Sequence, residues 1–324
     1  MWIPRIGVDA PVVPVQSNNA APRLIVILAQ WDNHPVASGH DDRVLVSPAS
    51  GNNRWVSRHA LLAFFVSAFA LSWWPLAFDL GGLVGEGIFP YGPTLAAILI
   101  TGLTLGRTGM KALLSRQVRW RVGGLWYAVA FLLPVGLAAA AAWLNVLLGA
   151  SAPASGELAG VLTLPLVYVL RLVVGGALGE ELGWRGFALP RMQAKRSALT
   201  ASLILGGIWA SWHLPFYLSG AQTLSEFAPT FVVTFIATIP ITWLFNNTNG
   251  SVLLTTLFHA SNGTILAGFL SPMFSGTDAV MFGWLIAGMW LLATIIIILR
   301  YGPRDLSPKP LPIASTHDRT KAHH

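Results

Sequence analysis

Residues 175–192 read "GGALGEELGWRGFALPRM". Two adjacent glutamates, Glu180 and Glu181, and an arginine, Arg185, stand in a run that is otherwise apolar and rich in glycine. Two later stretches repeat the anomaly. "LILGGIWASWHLPFYL" (203–218) holds His213, and "VLLTTLFHASNGTILAGFL" (252–270) holds His259 with Asn262 shortly after it. If these stretches cross a bilayer, each ionisable group in them costs several kcal/mol and needs a reason to be there.

Composition says that they do. Of 324 residues, 54% are hydrophobic and 10% charged, where soluble domains carry about 25% charged residues. Fourteen tryptophans suit the membrane–water interface. The chain has no cysteine, which excludes disulfides, thiolate metal sites, a cysteine nucleophile and lipidation on Cys. The formal charge of +7 does not point to nucleic acid, because membrane proteins gather Lys and Arg in their cytoplasmic loops.

The expected fold is all-α: a polytopic integral membrane protein whose first partner is the lipid bilayer. From residue 58 onward, apolar runs long enough to cross ~30 Å of hydrocarbon recur. Eight are read, at about 59–79, 89–106, 124–148, 160–187, 199–218, 227–246, 251–270 and 279–299. Arg107, Lys111, Arg116, Arg119 and Arg121 lie between the second and third runs. Arg191, Lys195 and Arg196 lie between the fourth and fifth, and Arg300, Arg304 and Lys309 follow the eighth. The alternate connections carry Glu86, Glu157, Glu226 and Asp278 without Lys or Arg. The basic side is therefore cytoplasmic and holds both termini. Three regions result: a polar, poorly ordered extension at 1–57, the eight-helix domain at 58–300, and a basic cytoplasmic tail at 301–324. Within the extension, "IPRIGVDAPVVPV" loosely resembles an early strand of sortase domains, whose cysteine this chain lacks; the likeness leans towards a bacterial plasma membrane.

Spacing separates the polar residues by role. Glu181 and Arg185 stand at i, i+4 with the acid first, the favourable order for a helix ion pair. Glu180 points about 100° away from Glu181, at 3.6 residues per turn, and is free to face another helix as an acid/base carboxylate. His259 and Asn262 share a helix face. Counted from the cytoplasmic side, these groups can meet in one plane. Each taken singly also has a structural reading, as a buried ion pair or an interhelical hydrogen bond. Gly175, Gly176, Gly179 and Gly183, with Gly206 and Gly207, offer small-residue surfaces for close helix approach.

"EELGWR" (180–185) resembles the EExxxR signature of the CAAX-processing and bacteriocin-processing (CPBP, or Abi) intramembrane proteases. It is followed in that family's order by "WASWH", ending at His213, and by the His259–Asn262 pair. Two positions depart from the family pattern: Trp209 stands where phenylalanine is usual, and Asn262 follows His259 by three residues where four are usual. The resemblance implies an intramembrane endopeptidase acting on a membrane-associated protein or peptide. Glu180 with His213 would activate a water, His259 with Asn262 would donate to the oxyanion, and Glu181 with Arg185 would support the site. No cofactor is favoured. The alternative is zinc held by Glu180, His213 and His259, a three-ligand catalytic pattern. Two other functions fit the buried polar residues, a non-catalytic immunity or scaffold protein and a proton-coupled transporter. Against the transporter stand the lack of an internal repeat and of paired broken helices.

Overall fold

The computed structural model describes residues 54–78 and 87–308. Residues 1–53 of the expected extension, the 79–86 connection with Glu86, and 309–324 of the expected tail lie outside the described residues. Among those described there is no strand. The principal helices are α1 (Ala60–Ala77), α2 (Gly92–Gln117), α3 (Gly124–Leu147), α4 (Leu164–Val173), α5 (Ala177–Glu181), α6 (Ala198–Trp212), α7 (Leu224–Asn247), α8 (Val252–Ile265) and α9 (Gly276–Tyr301). This is the expected all-α polytopic membrane architecture.

Six helical stretches are long and apolar enough to cross a membrane: Gly92–Gln117, Gly124–Leu147, Ala159–Gln193, Leu224–Asn247, Val252–Met273 and Gly276–Tyr301. The first and fifth expected spans are helical but shorter. Ala60–Leu76 is a shorter apolar helix, and α6 has 15 residues, about 22 Å at 1.5 Å per residue. Pro215 suits the second case, because proline has no N–H to bond back to the preceding turn and is favoured instead at the first position of a new one, with Leu214 still in helical geometry (φ −50°, ψ −32°). The chain turns at His213 and resumes as the single turn Pro215–Leu218. The second span runs past its expected end at 106. Its helix is kinked there, at a left-handed Gly106 (φ 57°), and the charged continuation through Arg107, Lys111 and Arg116 follows a new direction.

The fourth span departs most from expectation, because it is broken. A 3₁₀ turn (Ala159–Thr163) leads into α4, the helix lapses, and Gly176 takes a left-handed φ of 104° to start α5. α5 then passes through a π-helical segment, Leu182–Ala188, into Leu189–Gln193. Glycine alone adopts that φ at little cost, and a Cβ on Gly176 would collide with the Glu180 carboxylate.

The glycine surface works where the sequence put it, at some positions. A Cβ on Gly179 would lie 2.6 Å from the Pro90 carbonyl oxygen, and one on Gly183 2.5 Å from that of Pro93. Both lie well inside van der Waals contact, so α5 and the π segment pack directly on the N-terminal end of α2. Gly206 does the same for α6 against α7, 2.6 Å from the Phe235 carbonyl oxygen. Gly207 and Gly175 make no such interhelical approach.

The helix ends are tied locally. Ser197 caps α6 through Thr200 N–H at 3.1 Å, Thr223 and Glu226 form a capping box on α7, and Ser251 caps α8 through Leu254 N–H at 3.2 Å. At the end where α6 and α8 begin, the Arg119 Nη1 donates to the Asn249 carbonyl and Ser251 Oγ to the Arg119 carbonyl. The chain after α9 folds back there too. Ala198 and Leu199 N–H donate to the Arg304 and Pro303 carbonyls, and Asn246 Nδ2 donates to the Asp305 carbonyl.

Candidate functional site

Breaking the fourth span places two carboxylates where a straight helix would not. α5 delivers Glu180 and Glu181 fully inside the bundle, 3% and 0% exposed, and the π segment carries Arg185, also 0% exposed. A π-helical turn holds one more residue than an α turn, a distortion frequent at functional sites. Two cations from the basic end serve its carbonyls: Arg116 Nη1 donates to Gly186 O at 2.7 Å, and Arg191 Nη1 to Phe187 O at 2.9 Å.

The two glutamates do different things. Glu181 Oε1 accepts from Arg185 Nη1 at 2.8 Å and from His259 Nδ1 at 3.0 Å. A carboxylate only accepts, so Nδ1 carries the proton and Nε2 is turned away from Glu181. Nε2 then faces the other acid, 4.0 Å from Glu180 Oε1. The second oxygen of Glu180 is held differently. Trp209 Nε1 on α6 donates to Oε2 at 2.6 Å, and Trp184 Nε1 donates to it at 3.3 Å. Burying an ionised acid without donors would be prohibitive, and the indoles supply two.

His213 closes α6. Its Nδ1 lies 2.9 Å from the Trp209 carbonyl, a bond in which the ring must donate, leaving Nε2 as an acceptor. Its ring packs against Trp209, Trp212 and Phe216, at centroid separations of 5.7, 5.0 and 5.5 Å. Trp209 also meets the His259 ring edge-on at 5.4 Å, and the Arg185 guanidinium stacks over its face at 4.2 Å.

The structure thus bonds Glu181 to Arg185 and His259, sets Glu180 4.0 Å from His259 Nε2, and places His213 beside them through Trp209. Among the described residues, no hydrogen bond joins His213 or Asn262 to Glu180. Asn262 lies one turn beyond His259 on α8, and its Oδ1 is buried without a hydrogen-bond partner among the described residues. Of the cluster, His259 is the member that opens to the surroundings, with 15% of its side chain exposed against 4% for Glu180.

Two members escaped the sequence reading, the indole N–H groups of Trp184 and Trp209. For Trp184 the signal was present: Glu180 and Trp184 stand at i, i+4, the spacing already used for Glu181 and Arg185. Trp209 read only as an aromatic substitute, because no periodicity relates it to Glu180.

The zinc alternative asks Glu180, His213 and His259 to converge. Glu180 and His259 approach to 4.0 Å, and His213 bonds the Trp209 carbonyl through Nδ1, which leaves its Nε2 unengaged. Among the described residues, no group of three His, Asp or Glu side chains is gathered closely enough to hold a metal ion.

Residues 162–265 match the family described as type II CAAX prenyl endopeptidase, Rce1-like. That interval contains every candidate site residue, from Glu180 to Asn262. A stretch of 49 residues is 45% identical to the CAAX prenyl protease 2 of Methanococcus maripaludis, covering 15% of this chain and 18% of that protein. The resemblance to the CAAX-processing and bacteriocin-processing intramembrane proteases therefore holds over the segment that carries the site.

Proposed function

We propose that this membrane protein is an intramembrane endopeptidase that hydrolyses a peptide bond of a membrane-associated protein or peptide, using a glutamate-activated water. The observation that supports this reading best is the asymmetric placing of the two acids. Glu181 is consumed by Arg185 and His259, whereas Glu180 Oε1 lies against Gly176 with His259 Nε2 4.0 Å away. That separation suits a bridging water better than a direct bond.

In this reading Glu180 Oε1 takes a proton from the water, whose oxygen attacks the scissile carbonyl carbon. His213 Nε2, free to accept, holds the water's second proton. The carbonyl oxygen becomes an oxyanion that His259, as imidazolium donating from Nε2, and the Asn262 amide stabilise. Glu180 then passes its proton to the leaving amine, and the C–N bond breaks. Preorganised donors of this kind are worth about 3–4 kcal/mol on a barrier, and a positioned base about 10²–10⁴-fold. Glu181 keeps His259 in the required tautomer, and Arg185 balances the Glu181 charge.

The relatives' names make a prenylated peptide the first substrate to try, with its unprenylated form beside it. Purified protein in liposomes is assayed for cleavage as wild type, Glu180→Gln and His213→Ala, with and without a strong chelator. Glu180→Gln is expected to lower kcat roughly 10²–10⁴-fold, and the chelator to change nothing. Loss in chelator that zinc restores would replace the metal-free mechanism. Full activity in both variants would refute the site. Solute uptake into proteoliposomes that Glu180→Gln abolishes would favour a transporter instead.

A further inference from the structure

We infer that Trp209 is a positioning residue of this site, which fixes the Glu180 carboxylate through Oε2 so that Oε1 alone is presented as the base. The inference rests on the catalytic reading of Glu180 given above.

Trp209 is the residue on which the cluster is organised. Its indole N–H makes the shortest bond to Glu180, 2.6 Å. Its ring face carries the Arg185 guanidinium at 4.2 Å, and its edge meets His259 at 5.4 Å. Its backbone carbonyl accepts from His213 Nδ1 at 2.9 Å. One side chain and its own carbonyl therefore reach both histidines, the base and the supporting cation. It is 5% exposed, and Gly206, three residues before it, lets its helix lie directly on α7.

The consequence concerns the two oxygens of one carboxylate. A free glutamate can rotate about its last bond and exchange them. Here Oε2 takes two indole donors, from α6 and from the π segment, that point from different elements. Rotation would break both bonds inside an apolar interior, where unmade bonds are costly. Oε1 is left with no hydrogen bond, facing His259 Nε2. The charged groups around Glu180 are Glu181, Arg185 and His259; Arg185 and His259 Nδ1 both bond Glu181, and none of the three makes a hydrogen bond to Glu180. The indoles are therefore the donors that set the orientation of the base.

The test compares Trp209→Phe, Trp184→Phe, Glu180→Gln and the double variant Glu180→Gln/Trp209→Phe for kcat and KM on one membrane peptide. Trp209→Phe keeps an aromatic ring and removes the N–H. It is expected to lower kcat roughly 10- to 100-fold, as loss of a bond to a charged group does, with KM unchanged. Trp184→Phe, whose bond is longer, should lower kcat several-fold. On the Glu180→Gln background Trp209→Phe should add nothing further, which a merely structural tryptophan would not satisfy. An unchanged kcat in Trp209→Phe, or an undiminished further loss in the double variant, would overturn the inference. If Trp209→Phe does not fold, Trp184→Phe decides, and an unchanged kcat there would overturn it as well. Should Glu180→Gln itself be fully active, the catalytic reading fails, and the inference falls with it for a distinguishable reason.

Discussion

At the scale of single residues, the site depends on how many partners each buried charge has. Glu181 holds two, Arg185 and His259, through one oxygen. Removing one partner of a buried ion pair leaves the other charge uncompensated, at a cost of about 3–5 kcal/mol. Arg185→Leu and Glu181→Leu should each destabilise by about that much, read as a lowered unfolding midpoint in detergent. Replacing both together should cost less than the two singles combined, because no lone charge remains. Activity should separate them further. Glu181→Leu frees the His259 ring as well as Arg185, so its kcat should fall below that of Arg185→Leu at matched stability. Equal kcat values would show that Glu181 does not orient His259. This ion pair was legible in the sequence because i, i+4 spacing is a local rule. The bond between His259 and Glu181 was not, since it joins residues 78 positions apart on helices whose rotation the sequence leaves open.

At the scale of elements, the decisive feature is the break in the fourth span. Its sequence is a continuous apolar run, and hydropathy reads it as one helix. What breaks it is close packing: Gly179 and Gly183 lie against the Pro90 and Pro93 carbonyls, and the left-handed Gly176 re-aims α5 to reach them. A glycine pair in an apolar run signals close approach, but whether it stays helical is settled by the partner helix. Gly183→Val should therefore push α5 and the π segment off α2 and misplace both glutamates. The expected result is loss of cleavage and a lower unfolding midpoint. Gly136→Ala on α3, where a Cβ meets nothing within 4 Å, should be neutral or stabilise by up to about 1 kcal/mol. If Gly183→Val kept both stability and activity, the contact with α2 would not be what positions the site.

At the scale of the whole described bundle, charge is sorted by end. At one end Arg119 bonds the Asn249–Ser251 turn, Arg116 and Arg191 bond the Gly186 and Phe187 carbonyls, and the Arg304 carbonyl accepts from Ala198 N–H at the start of α6. At the other, Asp278 receives Ser151 N–H at 3.2 Å, and Glu226 caps α7. The alternation of basic and acidic connections was readable from loop composition, because it requires no knowledge of how the helices pack. Convergence of the three motifs was readable only as a matter of depth; their actual contacts depend on helix rotation. The sorting predicts an orientation, with the basic end in the cytoplasm, and the absence of cysteine makes that directly measurable. In intact cells a membrane-impermeant maleimide should label Ser151→Cys, at the acidic end, and leave Ser115→Cys, near the charged end of α2, untouched until the membrane is permeabilised. The reverse pattern would invert the protein. Because Glu180 and His259 lie nearer the basic ends of the stretches Ala159–Gln193 and Val252–Met273, it would also move the site to the outer half of the bilayer, with substrates approaching from the opposite face.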